Sequence, residues 1–411
     1  MNAVERRRFA CPTLGAPMAT GDGLLVRLSP LRDGLDGAAG AMLAEAARRY
    51  GSGEFELTRR GNLQVRGFDA SGALAFAAAA KRLAGQRPGP LPLALEPPGD
   101  GLSGGRLAAL RDELAARLAA FEAPLAAKCS VLFERRGDWG FAGLAADLRL
   151  RLDGDRLSLG IDGDAASACW FSASGAPVSL CDAAMVVLER LAGAGRHARG
   201  GALRSDRTLA ARLEVLGFRP SLAPASAPAV VPGSLRRGTL VVGCPLGALP
   251  SARFEALAAL CLHHGLRCWP LPGRLLLLAG EALGGPCTDA IRDELSRLGM
   301  VLDQRDPRLR IEACRGRPGC ASAGFDTRGL AERLVQQLAA LDPDGRVELH
   351  LSGCTKGCAR SRPATICLVG GEREGALGVV LDGRADGVRQ AWLNDDAECV
   401  AAALPALLAR S

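Results

Sequence analysis

Four cysteines in the last third of the chain have the number and spacing of an iron–sulfur ligand set. Five residues separate Cys314 from Cys320, and three separate Cys354 from Cys358 after a gap of 33 residues. Both pairs lie in segments rich in glycine and arginine, where a backbone can bend around an inorganic group. Structural zinc pairs have two to four intervening residues, so zinc is the weaker alternative. A [4Fe–4S] cluster takes one thiolate per iron, so these four cysteines are predicted to bind one cluster.

Histidines are the next candidates for redox chemistry, because oxygen activation at iron(II) commonly uses two histidines and a carboxylate. His350 lies on a predicted strand that leads into the second cysteine pair, and it is a candidate catalytic residue together with Lys356. His197 occupies a loop rich in glycine and arginine and is a further candidate ligand. His263 and His264 are predicted at the end of a helix, where capping is the expected role. No ligand set for a mononuclear iron follows from these positions.

Composition limits the class of protein. The 411 residues are 48% hydrophobic and 23% charged, which is enough for two or more cores and too apolar for a disordered chain. No apolar stretch approaches the roughly 20 residues that span a bilayer, and the first residues lack a secretory apolar region. We therefore expect a cytoplasmic protein without a membrane partner. In that compartment the 14 cysteines predict thiols or metal ligands rather than disulfides.

Arginine dominates the positive charge, because the net charge of +7 arises from a chain with only three lysines, Lys81, Lys128 and Lys356. The planar guanidinium group suits bidentate binding of carboxylate or phosphate. The arginines are dispersed and aromatic residues make up only 4% of the chain, which argues against nucleic acid as a partner. A small molecule with several negative charges is the expected ligand.

The chain repeats one order of predicted elements, and these elements would position the reactive side chains. Hydrophobic periodicity predicts a strand, a helix and a hairpin at residues 23–28, 37–50, and 54–58 with 63–66. The same order recurs at residues 239–243, 252–264, and 266–269 with 275–278. A helix followed by three strands also recurs, first at 106–121, 129–133, 147–152 and 156–161, then at 327–341, 346–351, 365–369 and 375–381. We interpret this as a duplication.

The predicted fold class is α+β, with two ferredoxin-like half-domains and two larger mixed α/β modules. The first half-domain is expected at residues 16–85 and the first mixed module at 100–219. The second half-domain is expected at 235–300, and the second mixed module, which carries the cysteines, at 305–411. A loop rich in proline, alanine and serine at residues 220–232 is the predicted boundary between the halves.

Two motifs resemble the siroheme-dependent sulfite and nitrite reductase family, whose chains are also duplicated. One is the sequence Ser-Gly-Cys-x3-Cys that ends at Cys358, and the other is Thr-Arg-Arg-Gly-Asn-Leu-Gln at residues 58–64. The second is similar to the family's Thr-x-Arg-x-Asn-x-Gln motif, whose arginine binds tetrapyrrole carboxylates. The resemblance implies that a tetrapyrrole cleft is lined by Arg60, Gln64, Arg66 and Lys128.

Three positions depart from the reductases. Lys356 replaces a usual asparagine, Thr365 replaces an acidic residue, and Ser130 replaces the second lysine of a Lys-x-Lys strand. These features, the opening Arg-Phe-Ala-Cys-Pro at residues 8–12 and the strand that begins Gly-Asp-Gly at residue 21 resemble a branch of the family that acts in aerobic cobalamin biosynthesis.

The resemblance to that branch implies an O2-dependent monooxygenase that hydroxylates precorrin-3A at C20 and closes a γ-lactone. Its implied cofactors are a [4Fe–4S] cluster and a non-haem iron, with NADH as the source of electrons. The glycine-rich residues 193–201 do not open a helix after a predicted strand, so no dinucleotide-binding motif is evident. A separate reductase is therefore expected to deliver the electrons. Two alternatives remain: a siroheme sulfite or nitrite reductase, and a protein that only transfers electrons or binds a tetrapyrrole.

Overall fold

The structure is a computed structural model that describes residues 11–28, 34–83, 93–95, 105–135, 140–236 and 238–410. Arg8, Phe9 and Ala10 of the opening motif, with residues 84–85 and 100–104 of the predicted domains, lie outside the described residues. The chain forms two compact units. The first comprises Met1–Met18, Arg27–Gly34 and Ala80–Val230, and the second comprises Ala19–Val26, Leu35–Ala79 and Val231–Ser411. One division falls inside the loop at residues 220–232.

Strands and helices alternate along most of the described chain. The strands are β1 (Met18–Thr20), β2 (Gly23–Leu28), β3 (Leu35–Asp36), β4 (Glu54–Leu57), β5 (Leu63–Phe68), β6 (Leu93–Leu95), β7 (Ser130–Arg135), β8 (Ala146–Asp153), β9 (Arg156–Gly163), β10 (Cys169–Ser174), β11 (Arg219–Ser221), β12 (Leu235–Arg236), β13 (Thr239–Gly243), β14 (Ala248–Pro250), β15 (Arg267–Leu271), β16 (Leu275–Ala279), β17 (Ile311–Ala313), β18 (Leu349–Ser352), β19 (Ala364–Arg373), β20 (Ala376–Gly383) and β21 (Ala391–Asn394). The α-helices are α1 (Gly37–Tyr50), α2 (Ala70–Ala80), α3 (Arg106–Ala119), α4 (Pro177–Gly193), α5 (Arg207–Val215), α6 (Ser251–His263), α7 (Thr288–Arg297), α8 (Thr327–Leu341) and α9 (Ala397–Leu408).

The first unit is built on one six-stranded sheet with the order β11-β10-β9-β8-β7-β6. Strands β6, β7 and β8 are parallel, whereas β9, β10 and β11 add to the sheet in antiparallel fashion. Helices α3 and α4 pack their leucine, valine and alanine side chains on the sheet and form the core with Phe133 and Phe218. The sequence did not predict α4.

The second unit contains a module in which a five-stranded sheet and two helices repeat this arrangement on a smaller scale. Its sheet has the order β17-β18-β19-β20-β21, with β17, β18 and β19 parallel and the last two strands antiparallel. Helices α8 and α9 cover this sheet and share a core that includes Leu334, Leu351 and Leu404. The same succession of parallel and antiparallel pairings in both modules confirms the predicted duplication.

The two ferredoxin-like halves exchange strands within the second unit. One sheet has the order β1-β2-β5-β4-β14 and the other β12-β13-β16-β15-β3, so each sheet takes its last strand from the other half. Helix α1 begins after Asp36, whose carboxylate accepts the Ala39 N–H at 2.8 Å and caps the helix. Gly37 and Gly40 lie against Ala258 and Leu262 of α6, where there is no room for larger side chains.

Most predicted elements are confirmed to within a few residues, and one strand starts later than expected. We predicted a strand from residue 346, but β18 begins at Leu349. The reason is local: the amides of Arg346 and Val347 donate to the Asp342 carboxylate at 3.0 and 2.8 Å instead of joining a strand ladder. Among the helices that the structure describes, none is long and apolar enough to cross a membrane.

Candidate functional site

Parallel strands place the cysteine pairs at one edge of a sheet. Cys314 follows β17 directly, and Cys354 comes two residues after the end of β18. Because β17 and β18 are parallel neighbours, their carboxyl ends meet at the same edge. The amide of Cys314 donates to the carbonyl of Leu351 at 3.1 Å, which holds the two loops together at their start.

Hydrogen bonds fold the loop between Cys314 and Cys320 back onto helix α8. The hydroxyl of Thr327, the first residue of that helix, donates to the Cys314 carbonyl at 2.7 Å. Further along, the Gly324 amide donates to the Gly353 carbonyl at 2.7 Å, so the loop of the first pair is joined to the loop of the second. The two accepting carbonyls, those of Cys314 and Gly353, belong to the residues that directly follow β17 and β18.

Glycines bring the main chain close to the thiols and to the neighbouring loops. The Gly353 amide lies 3.2 Å from the Cys314 sulfur, in position to donate to it. A Cβ at Gly353 would lie 2.5 Å from the Ala323 Cβ, and a Cβ at Gly21 would lie 3.6 Å from the Cys320 sulfur. A main-chain amide that donates to a cysteine sulfur offsets negative charge there, so these surroundings suit a negatively charged cluster.

The pKa of the Cys358 thiol depends on the other three cysteines of the set. Burial raises the pKa of the Cys358 thiol to about 11, and the negative charges of Cys314, Cys354 and Cys320 add to the rise while Lys356 opposes it. A free Cys358 thiolate is therefore unfavourable at neutral pH, and bound iron would replace its proton. The Lys356 ammonium lies 3.2 Å from the Ser322 hydroxyl and so bridges the two cysteine loops. These residues fit a [4Fe–4S] cluster, and their role as its ligands stays a prediction.

The expected substrate residues Gln64 and Arg66 lie on β5 and are already bonded within the protein. Gln64 donates to the Glu56 carboxylate at 2.9 Å. Arg66 binds both oxygens of Asp22 through Nε at 3.1 and 3.2 Å, and its Nη1 lies 3.6 Å from Glu56. Burial alone would lower the pKa of Arg66, but Glu56 and Asp22 outweigh it and the net shift is upward. A substrate carboxylate at Arg66 would have to share it with Asp22.

The same carboxylates also bind arginines of the cysteine module. Arg315, beside Cys314, pairs with Glu54 at 3.1 Å. Arg328 on α8 pairs with Glu56 at 2.5 Å. Burial alone would raise the pKa of Glu56, but the charges of Arg328 and Arg66 hold it below its usual range. The half-domain hairpin is thereby joined by ion pairs to the loops that carry the cysteines.

The other two expected substrate residues lie apart along the chain. Arg60 is in the turn between β4 and β5 and is half-buried. Lys128 is exposed in the first unit, two residues before β7. Ser130, where the reductases have lysine, is buried and its hydroxyl donates to Asp147 at 2.9 Å. Ser130 therefore has a structural partner in place of a ligand-binding charge.

His350 lies on β18, as predicted, and is completely buried. Its Nδ1 lies 3.2 Å from the Cys367 sulfur on β19, and its Nε2 has no partner among the described residues. Burial, and then the charges of Arg360, Arg274 and Arg59, lower its pKa to about 4. The imidazole is therefore neutral at physiological pH.

Sequence reasoning missed a second ionic group in the same unit. Glu312 on β17 is 3% exposed and binds Arg59 and Arg360, while Arg274 lies 3.7 Å away. The available signal was an acidic residue inside a strand that leads directly to Cys314, because a buried carboxylate requires basic partners.

The remaining histidines belong to other elements of the chain. His263 ends α6 and His264 caps it, as predicted, with the two rings edge to face at 4.6 Å. His197 lies in the first unit, in the loop after α4. Among the described residues, no three histidine, cysteine, aspartate or glutamate side chains are arranged to hold a single metal ion. The implied non-haem iron stays a prediction without assigned ligands.

Comparisons with known proteins agree with this architecture. Residues 16–83 match the family described as the Nitrite/Sulfite reductase ferredoxin-like half domain. A curated relative from Sinorhizobium sp., Precorrin-3B synthase, is 36% identical over 416 aligned positions that cover 95% of this chain and 86% of the relative. The solved structure of the Mycobacterium tuberculosis NirA protein superposes with a TM-score of 0.67 over 93% of this chain and 79% of that chain, at 18% identity. The expected duplicated nitrite/sulfite reductase fold is confirmed.

Proposed function

The chain belongs to the precorrin-3B synthase family, and on that premise we propose that it hydroxylates precorrin-3A at C20 with O2 and closes a γ-lactone. The observation that carries this proposal is the 36% identity to a precorrin-3B synthase along 95% of the chain. The coarser assignment, an oxidoreductase enzyme of cobalamin biosynthesis, follows from the family. The oxygen source, the position of hydroxylation and the electron donor are the parts that we propose.

The proposed reaction balances as a monooxygenation. One oxygen atom of O2 enters the tetrapyrrole, and two electrons with two protons reduce the other atom to water. NADH supplies the electrons, and a separate reductase delivers them. The lactone forms when a carboxylate oxygen of the ring A acetate arm bonds to the ring carbon next to C20 as the double bond between these two carbons opens. The carboxyl proton is retained in the C20 hydroxyl group, so no second water is released.

This chain's residues would bind and orient the substrate. Precorrins carry several acetate and propionate arms, and guanidinium groups bind carboxylates through paired hydrogen bonds. In the proposal Arg60, Gln64, Arg66 and Lys128 contact these arms. Arg66 is held in place by Asp22, so it would present a fixed donor to the substrate.

Cys314, Cys320, Cys354 and Cys358 would hold the [4Fe–4S] cluster. When bound, the cluster supplies single electrons. The Gly353 amide would donate to the sulfur of Cys314, and the positive charge of Lys356 would offset the negative charge of the cluster. His350, neutral and buried beneath the loop, would support the second cysteine pair rather than exchange protons with solvent.

Labelled oxygen tests the proposal. Anaerobically purified protein, supplied with precorrin-3A, NADH and a reductase, is exposed to ¹⁸O2, and the product is analysed by mass spectrometry. We expect one labelled oxygen atom in the product, and O2 consumption only when substrate and reductant are both present. Omission of either one is the control.

The siroheme alternative predicts the opposite pattern. A reductase would purify with the visible absorption of siroheme and would oxidise a reduced dye when sulfite or nitrite is added, without precorrin. Label that enters the product only from water, or siroheme absorption together with sulfite turnover, would overturn the proposal.

A further inference from the structure

Four arginines in the second unit surround two carboxylates and carry two positive charges in excess. Glu312 binds Arg59 and Arg360 directly, and Arg274 lies 3.7 Å from its other oxygen. Glu348 binds Arg360 and Arg362. We call Arg59, Arg274, Arg360 and Arg362 the arginine group.

The neighbouring ion pairs do not remove this excess. Glu56 also attracts Arg274, but it is bonded to Arg328 and Gln64. When the adjoining network is included, seven guanidinium groups face five carboxylates: Arg59, Arg66, Arg274, Arg315, Arg328, Arg360 and Arg362 against Asp22, Glu54, Glu56, Glu312 and Glu348. The excess is two positive charges in either count.

The arginine group is assembled from three separate parts of the chain. Arg59 lies in the turn of the first half-domain hairpin, and Arg274 lies in the equivalent turn of the second, between β15 and β16. Arg360 and Arg362 follow Cys358 in the second cysteine loop. The tertiary structure therefore places like charges close together. Their repulsion raises the free energy of the folded protein, and a bound anion would reduce this repulsion.

Two members of the arginine group are buried, and the other two are accessible to solvent. The side chain of Arg360 is 2% exposed, and Arg274 has a buried Nε that lacks a partner among the described residues. The side chains of Arg59 and Arg362 are 34% and 54% exposed, so solvent molecules and solutes can reach them. Burial and then the charges of Arg362, Arg274 and Arg360 lower the pKa of Arg59 to about 9, which leaves it charged at neutral pH.

We infer that Arg59 and Arg362, supported by Arg274 and Arg360, form a subsite for one carboxylate arm of the tetrapyrrole. None of these four arginines is among the motif residues Arg60, Gln64, Arg66 and Lys128. The inference rests on the proposed function for the identity of the ligand. A carboxylate is the chemistry that fits, because guanidinium groups bind its two oxygens in parallel. Glu312 and Glu348 act as positioning residues that hold the arginines.

Equilibrium binding of uroporphyrin III tests the inference. This stable tetrapyrrole carries acetate and propionate arms, and its fluorescence reports binding to the anaerobic, cluster-loaded protein at fixed ionic strength. Arg59→Gln and Arg362→Gln should each weaken binding about 10-fold, because each removes one charged hydrogen bond. Arg346→Gln is the matched control: Arg346 is 83% exposed and pairs with Asp344, so the same loss of charge should change binding less than 2-fold.

The reduction potential of the cluster distinguishes the competing role of the excess charge. If the arginine group only offsets the negative cluster, Arg59→Gln and Arg362→Gln will lower the reduction potential and leave uroporphyrin binding unchanged, which would overturn the inference. Absence of binding by the unmodified protein would overturn it as well. The oxygen-label experiment gives an independent result. If the variants bind uroporphyrin more weakly but the unmodified protein incorporates no label, the subsite is retained and the proposed reaction is rejected.

Discussion

The main chain of Arg60 pairs with that of Pro272 in an isolated antiparallel bridge. Beside it, the Gly273 amide donates to the Arg59 carbonyl at 2.9 Å. Gly61 permits this approach, since a Cβ there would lie 2.8 Å from the Leu271 carbonyl carbon and its φ is +71°. The turns of the two half-domain hairpins are therefore joined by backbone hydrogen bonds. The backbone of Arg60 is fixed by Pro272, which lies more than 200 positions away in the chain.

Removal of one cysteine of the set should prevent assembly of a complete cluster. In Cys354→Ser, the serine oxygen is a poor replacement for a thiolate, so we expect loss of the four-iron complement in iron and sulfide analysis. Cys399→Ser is the control, because Cys399 is exposed on α9 and outside the set. A full complement of iron and sulfide in Cys354→Ser would contradict the ligand assignment.

Arg60→Gln should weaken tetrapyrrole binding. If Arg60 makes a charged hydrogen bond to a substrate carboxylate, its loss costs on the order of 1.5–3 kcal/mol, or about 10- to 150-fold in affinity. Titration with uroporphyrin III would measure this change. Arg384→Gln removes the same charge from an exposed pair with Asp386 and should have almost no effect. Equal affinities for both variants would show that Arg60 is only a turn residue.

A methyl group at Gly37 should destabilise the second unit. Its Cβ would lie 2.5 Å from both the Cβ and the backbone nitrogen of Leu262, so α1 and α6 would have to separate. Overpacking of this kind typically costs about 1–3 kcal/mol. Gly193→Ala is the matched control in another helix, since a Cβ there meets nothing within 4 Å. Melting curves should show a lower midpoint for Gly37→Ala only, and equal midpoints would refute the close packing of these helices.

His350 should make stability depend on pH below neutrality. Its pKa is lowered to about 4 in the folded protein and is 6.5 for an ordinary histidine, so below pH 6.5 the unfolded chain binds a proton that the folded protein does not. Stability is therefore lost as pH falls from 6.5 towards 4, by about 2 kcal/mol at pH 5.

The variant His350→Gln isolates this contribution from that of the carboxylates. Denaturant unfolding at pH 7.5 and pH 5 should show a smaller loss of stability for His350→Gln than for the unmodified protein. His263→Gln, which alters an exposed histidine at the end of α6, should retain the full loss. An identical pH dependence in all three proteins would argue against a neutral, buried imidazole.

The sequence by itself determined many of the elements and the family motifs, although it did not predict α4. Local periodicity and capping residues suffice for helices such as α1 and α8, because Asp36 and Asp326 bind amides only three residues away. The repeated order of elements predicted the duplicated fold, and the cysteine spacing selected the four thiols. These signals depend on neighbours in the chain, so they can be read without a structure.

Only the tertiary structure decided which arginine and glutamate side chains form ion pairs. Glu312 binds Arg59 across more than 250 residues, and Arg328 likewise reaches Glu56. The strand exchange that pairs β14 with β4 and β15 with β3 is equally invisible in the sequence. In each case the partner is chosen by how sheets and loops pack, and ion pairs leave no periodic pattern along the chain. Arg66 shows the consequence: the motif marks it as a ligand-binding residue, and the fold gives it Asp22 as a constant partner.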